Sequence, residues 1–277
     1  MRLFLLPIST RRTLLYCQRL NVANTEQQGW IDKATTKAAS LWASWEKKES
    51  GWQRKVVDYG NKALKRIPYE EWGLKSVPPL STRREKEELS SKEKIEVVFP
   101  SSLIRAESVL DILKALGTER QSLHQKRMIW SFVGMPLVAP FALVPVYATN
   151  TIVYWIALIG KIRIPNLPFF YLVFRAWSHW RALSGSKHIE FLVDKNLVNI
   201  RPSQVLDELY STGKRPFETQ SVPPEMKSHE TMVLHESHGR RIAEALKVPE
   251  LYIELDRAVW QVENALQAEK EQSQKAK

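Results

Sequence analysis

The sequence predicts an all-α protein. It is expected to be a helical, membrane-anchored chain with one transmembrane helix and amphipathic helices on either side, a short hairpin being the alternative to the single span. Three observations predict it. An uncharged run of 33 residues, Met128 to Gly160, lies between Arg127 and Lys161. Apolar residues recur at steps of three, four and seven both before and after that run. Glycine is scarce, at 10 residues in 277, which makes a glycine-looped nucleotide-binding fold a poor first reading.

If helical throughout, Met128–Gly160 would be ~50 Å long at ~1.5 Å per residue. A bilayer core needs ~20 apolar residues, so one span fits and two do not. Pro136, Pro140 and Pro145 interrupt the first part, each removing a backbone donor. The straighter half is Val146–Gly160. A second apolar run, Ile164–Phe174, is too short to span alone. The aromatic residues Trp130, Tyr154, Trp155, Tyr171, Trp177 and Trp180 suit a membrane interface. The competing reading is a buried core helix.

The first 25 residues contain Arg2, Arg11, Arg12 and Arg19, several hydroxyls and no acid. That composition resembles a mitochondrial presequence. The alternative is a mature segment in which MRLFLLPI is a short strand or a packed piece.

Glu26–Ile67 reads as one or two long amphipathic helices ended by Pro68, and Trp72–Leu80 as an extended connector. Ser81–Glu96 carries five basic and five acidic residues, a solvated or linking segment. A helix capped by Ser101 or Ser102 runs to Leu116, with Gly117 as its stop. Helices are also expected over Arg175–Gly185, Pro202–Thr212, Glu230–Lys247 and Leu251–Leu266. The chain thus divides into a basic N-terminal segment (1–25), an amphipathic helical region and connector (26–80), a charged linker (81–96), a juxtamembrane helical region (97–127), the transmembrane region (128–160), an interfacial apolar and aromatic region (161–193) and a C-terminal helical region (194–277).

The net charge of +11, from 41 Lys and Arg against 30 Asp and Glu, favours an anionic contact. The basic doublets are scattered and form no aromatic-interleaved platform, so nucleic acid is not expected and membrane lipid is. Cys17 is the single cysteine, which excludes an internal disulfide and a multi-cysteine zinc or iron–sulfur site. His229, His235 and His238 cluster with Glu230 and Glu236, but HESH is not HExxH, and no metal or other cofactor is expected. No nucleophile motif appears, so no enzyme is expected. The residues singled out as ion-, proton- or lipid-responsive are Asn150 and Thr151 in the uncharged run and Arg175 and His179 just past it. Arg175 and His179 are four apart and can share a helix face, and histidine titrates near neutrality. The run itself contains no ionisable group of the kind a proton-coupled exchanger uses.

The segments Met1–Cys17, Lys55–Pro79 and Pro165–Leu192 resemble the fungal mitochondrial K+–H+ exchange-related family. The resemblance implies a mitochondrial, inner-membrane protein linked to matrix potassium–proton balance, and carries over no catalytic residue. The expectation is a membrane protein that supports or regulates the exchange as an accessory component, with a protein partner or as a homo-oligomer, and meets the two ions only indirectly. Its rivals are a non-transport assembly or structural protein anchored in mitochondria and a peripheral lipid-binding protein.

Overall fold

The computed structural model of the chain describes residues 1–19, 40, 44–45, 50–91, 94–139, 167–212 and 230–275. The strands are β1 (Arg2–Pro7), β2 (Thr13–Gln18), β3 (Ile95–Phe99) and β4 (Val198–Pro202). The helices are α1 (Trp52–Lys65), α2 (Tyr69–Ser76), α3 (Thr82–Ser90), α4 (Val109–Thr118), α5 (Gln121–Val138), α6 (Leu167–Asp194), α7 (Gln204–Thr212), α8 (Glu236–Ala245) and α9 (Leu251–Lys275).

The all-α expectation is wrong, because the strands form a four-stranded sheet in the order β2-β1-β3-β4. β1 and β2 make an antiparallel hairpin with Leu3 opposite Cys17 and Leu5 opposite Leu15. β1–β3 and β3–β4 are parallel pairs, so helical crossovers return the chain to the sheet. Successive residues of β1 point to opposite faces. Leu3 and Leu5 pack with Leu74, Leu113, Ile189 and Leu192 on one side. Phe4 and Leu6 pack with Leu206, Ile242, Leu255 and Val259 on the other. A strand covered on both faces reads as a continuous apolar run, which is what LFLL is. The described part of the basic N-terminal segment is therefore built into the sheet as β1 and β2.

Two glycines set the spacing of the layer that carries α2. A Cβ on Gly73 would lie 2.3 Å from the Leu15 carbonyl oxygen, and one on Gly185 would lie 2.0 Å from that of Leu74. Only glycine lets α2 press onto β2 and α6 press onto α2. This contact brings the polar residues of α2 and α6 together.

The transmembrane expectation is overturned as well. Among the described residues no helix is long and apolar enough to cross a membrane. The part of the uncharged run that is described, Met128–Ala139, is not an element of its own. Met128–Val138 continues α5, which starts at Gln121 and includes Lys126 and Arg127, and Pro136 lies inside it. Its Trp130, Phe132 and Leu137 are exposed, so it is not the buried core helix of the competing reading either. Residues 140–160, with Asn150, Thr151 and the straighter half of the expected span, lie outside the described residues. The described part of the second apolar run, Leu167–Phe174, is the start of α6, a 28-residue helix carrying Arg175, Arg181, Lys187, Glu190 and Asp194. The membrane-lipid partnership expected from a span has no span among the described residues to rest on. The accompanying protein-partner or homo-oligomer expectation gains no support from the fold.

Three shorter segments depart from the expected pattern. The connector Trp72–Leu80 is helical up to Ser76. The charged linker holds α3, capped by the Ser81 hydroxyl accepting from the Arg84 amide and braced by Arg83–Glu87 at 2.6 Å. The helix expected from Ser101 begins only at Val109, after a single 3-10 turn at Ala106–Ser108.

Candidate functional site: a buried ionic junction

Where α2, α5 and α6 meet, polar groups are sealed from water. Glu71 on α2 is 1% exposed, His124 on α5 and His179 on α6 are 2% exposed, and Ser178 is fully buried. Arg175 grips Glu71 with two bonds, Nη1 to Oε1 at 2.9 Å and Nη2 to Oε2 at 3.1 Å. Ser178 donates to Oε1 at 2.5 Å. Such a bidentate, charge-assisted pair is among the stronger polar contacts a protein makes. Burial alone would raise the Glu71 carboxyl, but the Ser178 bond and the Arg175 charge outweigh it and hold the group below its usual range.

Proton positions follow from donor chemistry. Arg175 Nη2 lies 2.9 Å from His179 Nε2. A guanidinium only donates, so Nε2 accepts and the proton of the neutral ring sits on Nδ1. His179 Nδ1 lies 3.1 Å from His124 Nδ1. The first must donate to the second, which leaves the His124 proton on Nε2, a buried nitrogen with no hydrogen-bond partner. Burial, opposed by Glu71 and aided by Arg175, pushes His179 down to about 4. Burial also lowers His124. Both rings are neutral at neutral pH.

Lys75, one turn beyond Glu71, is 7% exposed. Its Nζ lies 3.2 Å from the centre of the Trp72 ring, 5.4 Å from Phe174 and 5.5 Å from Trp177. Arg257 from α9 stands 4.5 Å from the Trp72 ring and pairs with Glu254 at 2.6 Å. The Lys75 nitrogen has no hydrogen-bond partner. Burial pushes it down to about 7, against the attraction of Glu71 and Glu254.

Glu71, His124 and His179 place three ligand atoms within 4.8 Å of one another. The Nε2 lone pair of His179 is taken by Arg175, so a metal would need the Nδ1 lone pair of that ring, where the neutral imidazole carries its proton, and it would sit beside the guanidinium cation. The donor set as arranged is therefore prepared for protons rather than for a metal ion. The histidine cluster noted in the sequence is built differently. Glu230 is engaged by Arg12 at 3.2 Å and by the Ser9 hydroxyl. The His235 and His238 rings stand 6.4 Å apart, and His229 lies outside the described residues.

Of the residues singled out from sequence, the structure brings Arg175 and His179 together, and Asn150 and Thr151 fall outside the described residues. Sequence reasoning misses Lys75 because Trp72–Leu80 reads as extended, and Glu71 because it lies between Pro68 and that connector. Pro68, followed by Glu70 and Glu71 in a first turn and Lys75 in a last one, is a helix signature that would have placed both on α2.

The fold and junction define a helix-covered mixed sheet enclosing an ionic cluster. Residues 2–193 match the family described as mitochondrial K+-H+ exchange-related, and the chain belongs to that family. It is a mitochondrial protein. The chain is 26% identical over 216 residues to an uncharacterised protein of Schizosaccharomyces pombe, covering 77% of this chain and 85% of that one. It is 25% identical over 285 residues to an uncharacterised protein of Saccharomyces cerevisiae, covering 92% and 82%. No solved structure matches the chain.

Proposed function

We propose that the chain acts in mitochondrial potassium–proton exchange as a proton-responsive regulator, without being the path the ions take. The observation that carries this reading is the solvent-sealed hydrogen-bond chain Glu71–Arg175–His179–His124. Every proton in it has one assigned place. A proton added to His179 must go on Nε2, facing the guanidinium. One added to His124 must go on Nδ1, facing the N–H of His179. Either breaks a bond of the chain and disturbs the contact between α2, α5 and α6, which is how a buried titrating group biases a larger rearrangement. The family description supplies the ions. The place of action that goes with it is the mitochondrial inner membrane, across which matrix potassium and protons are balanced. Asn150 and Thr151 form no part of the reading.

The test is matrix pH recovery after an acid load, with and without external potassium. It compares mitochondria lacking the chain with mitochondria resupplied with wild type or Glu71→Gln. Loss of the chain should slow the potassium-dependent component and wild type should restore it. Glu71→Gln, at matched abundance, should restore less and alter its pH dependence. Unchanged potassium-dependent recovery without the chain rejects the reading.

A further inference from the structure

The histidines of the junction stay neutral around neutral pH, yet the junction holds one cation whose hold on its proton is weak by construction. Glu71 is already gripped by Arg175, and Glu254 by Arg257. Lys75 forms an ion pair with neither carboxylate. Its nitrogen has no hydrogen-bond partner, and its contacts are the faces of Trp72, Phe174 and Trp177. The Trp72 ring also serves the Arg257 guanidinium at 4.5 Å, so two cations share one aromatic group. Ring faces attract a cation by only a few kcal/mol at most, whereas burial of an unpaired ammonium costs more than that.

We propose that Lys75 is a proton-binding site: its amine takes up and releases a proton inside the cage of Trp72, Phe174 and Trp177, and so changes the charge between α2, α6 and α9. The inference rests on the proton-responsive reading above for its physiological meaning, and names the group that does the titrating. The charged groups facing the amine are Glu71 from its own helix, Arg175 from α6, and Glu254 and Arg257 from α9. With the proton on, two arginines, one lysine and two carboxylates leave the junction with one surplus positive charge. With it off, the junction is neutral, and the amine becomes a small, nearly apolar filler over Trp72. The cation–π contact is lost, and the repulsion between Lys75 and Arg257 goes with it. Burial of the amine places this change near neutrality, at about pH 7, whereas His179 changes charge only near 4.

The experiment uses the purified full chain. Tryptophan emission is followed from pH 5.5 to 9 in wild type, Lys75→Met, Lys75→Arg and His179→Gln. Trp72→Phe supplies the background from the other tryptophans. The Trp72-dependent emission of wild type should follow a one-proton curve centred near pH 7. It should be flat in Lys75→Met and in Lys75→Arg, whose guanidinium keeps its charge throughout, and the midpoint should be kept in His179→Gln. A parallel titration of wild type labelled with 15N-lysine, with Lys75→Arg used to assign the Nζ signal, reads the same proton without depending on a methionine variant that folds. A transition that survives in Lys75→Arg, or a Lys75 nitrogen that stays protonated through pH 9, overturns the inference. A titrating Lys75 in a protein whose loss leaves matrix pH recovery intact removes the functional reading and keeps this one. The opposite pair of results does the reverse.

Discussion

Arg175 Nη2 stands 2.9 Å from His179 Nε2, one helical turn along α6, and by donating to that nitrogen it fixes where the protons of the His179–His124 pair lie. The same guanidinium closes on both oxygens of Glu71 across the interface with α2. One side chain thus joins a structural ion pair to a histidine pair. Perturbing it should be felt both in stability and in pH response.

Arg175→Met should cost about 3–5 kcal/mol, because it strands the Glu71 carboxylate in a site 1% exposed. The double variant Glu71→Gln, Arg175→Met removes both charges and should recover more than half of that loss. Urea unfolding of the two single variants and the double one gives the coupling. Additive losses would mean that the two groups do not form the buried pair described.

Acid should loosen the fold through the junction, and alkali should tighten it. His179 is pushed down to about 4, chiefly by burial, while an unfolded histidine titrates at ~6.5. Between those values the unfolded chain holds the extra proton and the folded one does not, so stability falls as the pH drops through that window. Glu71 adds a second loss at lower pH. Its folded carboxyl lies below its ordinary value, so its contribution is present above ~4.3 and disappears as pH falls through the folded value. Lys75, pushed down to about 7 chiefly by burial, works the same way at higher pH: stability should rise from about 7 toward ~10.4. Urea midpoints from about pH 2 to 10 check this. His179→Gln should reduce the slope between 6.5 and 4, where His124 also contributes, and leave the portion above 7, and Lys75→Met should flatten the portion above 7 and leave the lower one.

Gly185→Ala should destabilise by about 3 kcal/mol or more, since its Cβ would sit 2.0 Å from a backbone oxygen that cannot turn aside. Gly117→Ala meets the Ile189 side chain at 3.3 Å and the Ser186 carbonyl oxygen at an ordinary 3.6 Å, and should stay within about 1 kcal/mol of wild type because alanine also favours the helix. Comparable losses at the two sites would contradict the close approach of α6 to Leu74.

How much of this was legible in the sequence depended on what each helix or strand touches. The stripe Leu251, Leu255, Ala258, Val262, Leu266 is buried along α9 as its spacing required, because one face of that helix meets the sheet layer and the other meets water. The helix over Pro202–Thr212 is likewise α7, one residue pair late. β1 and β2 were obscured by the arginines beside them. Arg2 and Arg12 suggested an address, yet they pair with Glu96, Glu230 and Glu269, partners up to 257 residues away that no local pattern reveals. β3 appeared only as the apolar patch Val97–Phe99, since five residues are too few to establish a period. Arg175 and His179 were visible as neighbours on one helix face. Their meeting with Glu71, 104 residues away from Arg175, belongs to the tertiary fold.

Helix α3 should be the most easily released piece of the described structure. It buries no residue of its own. His188, fully buried on α6, holds it by Nε2 at 2.8 Å from Glu88, while its Nδ1 meets the Pro78 carbonyl at 2.8 Å. Glu88→Ala should increase amide exchange and protease cleavage within Thr82–Ser90 while shifting the global urea midpoint little. Protection of that segment equal to wild type would show that the His188–Glu88 contact does not tether it.

The N-terminal arginines can now be separated into structural and addressing roles. Replacing Arg2, Arg11, Arg12 and Arg19 together by glutamine removes the Arg2–Glu96 pair at 2.7 Å, the Arg12–Glu230 pair at 3.2 Å and the Arg12–Glu269 pair at 3.3 Å, in each of which the arginine is about a third exposed. Pairs of that kind contribute up to about 1 kcal/mol each, so the purified variant should remain folded. The apolar residues of β1 and β2, which the substitution leaves alone, hold the hairpin in the sheet. Import into isolated mitochondria is the second readout. If the acid-free basic segment is the address, import should fall by more than the small stability loss explains, because the import potential pulls on those positive charges. A variant that folds and still imports like wild type would place the address elsewhere in the chain. The hairpin would then be a structural element alone.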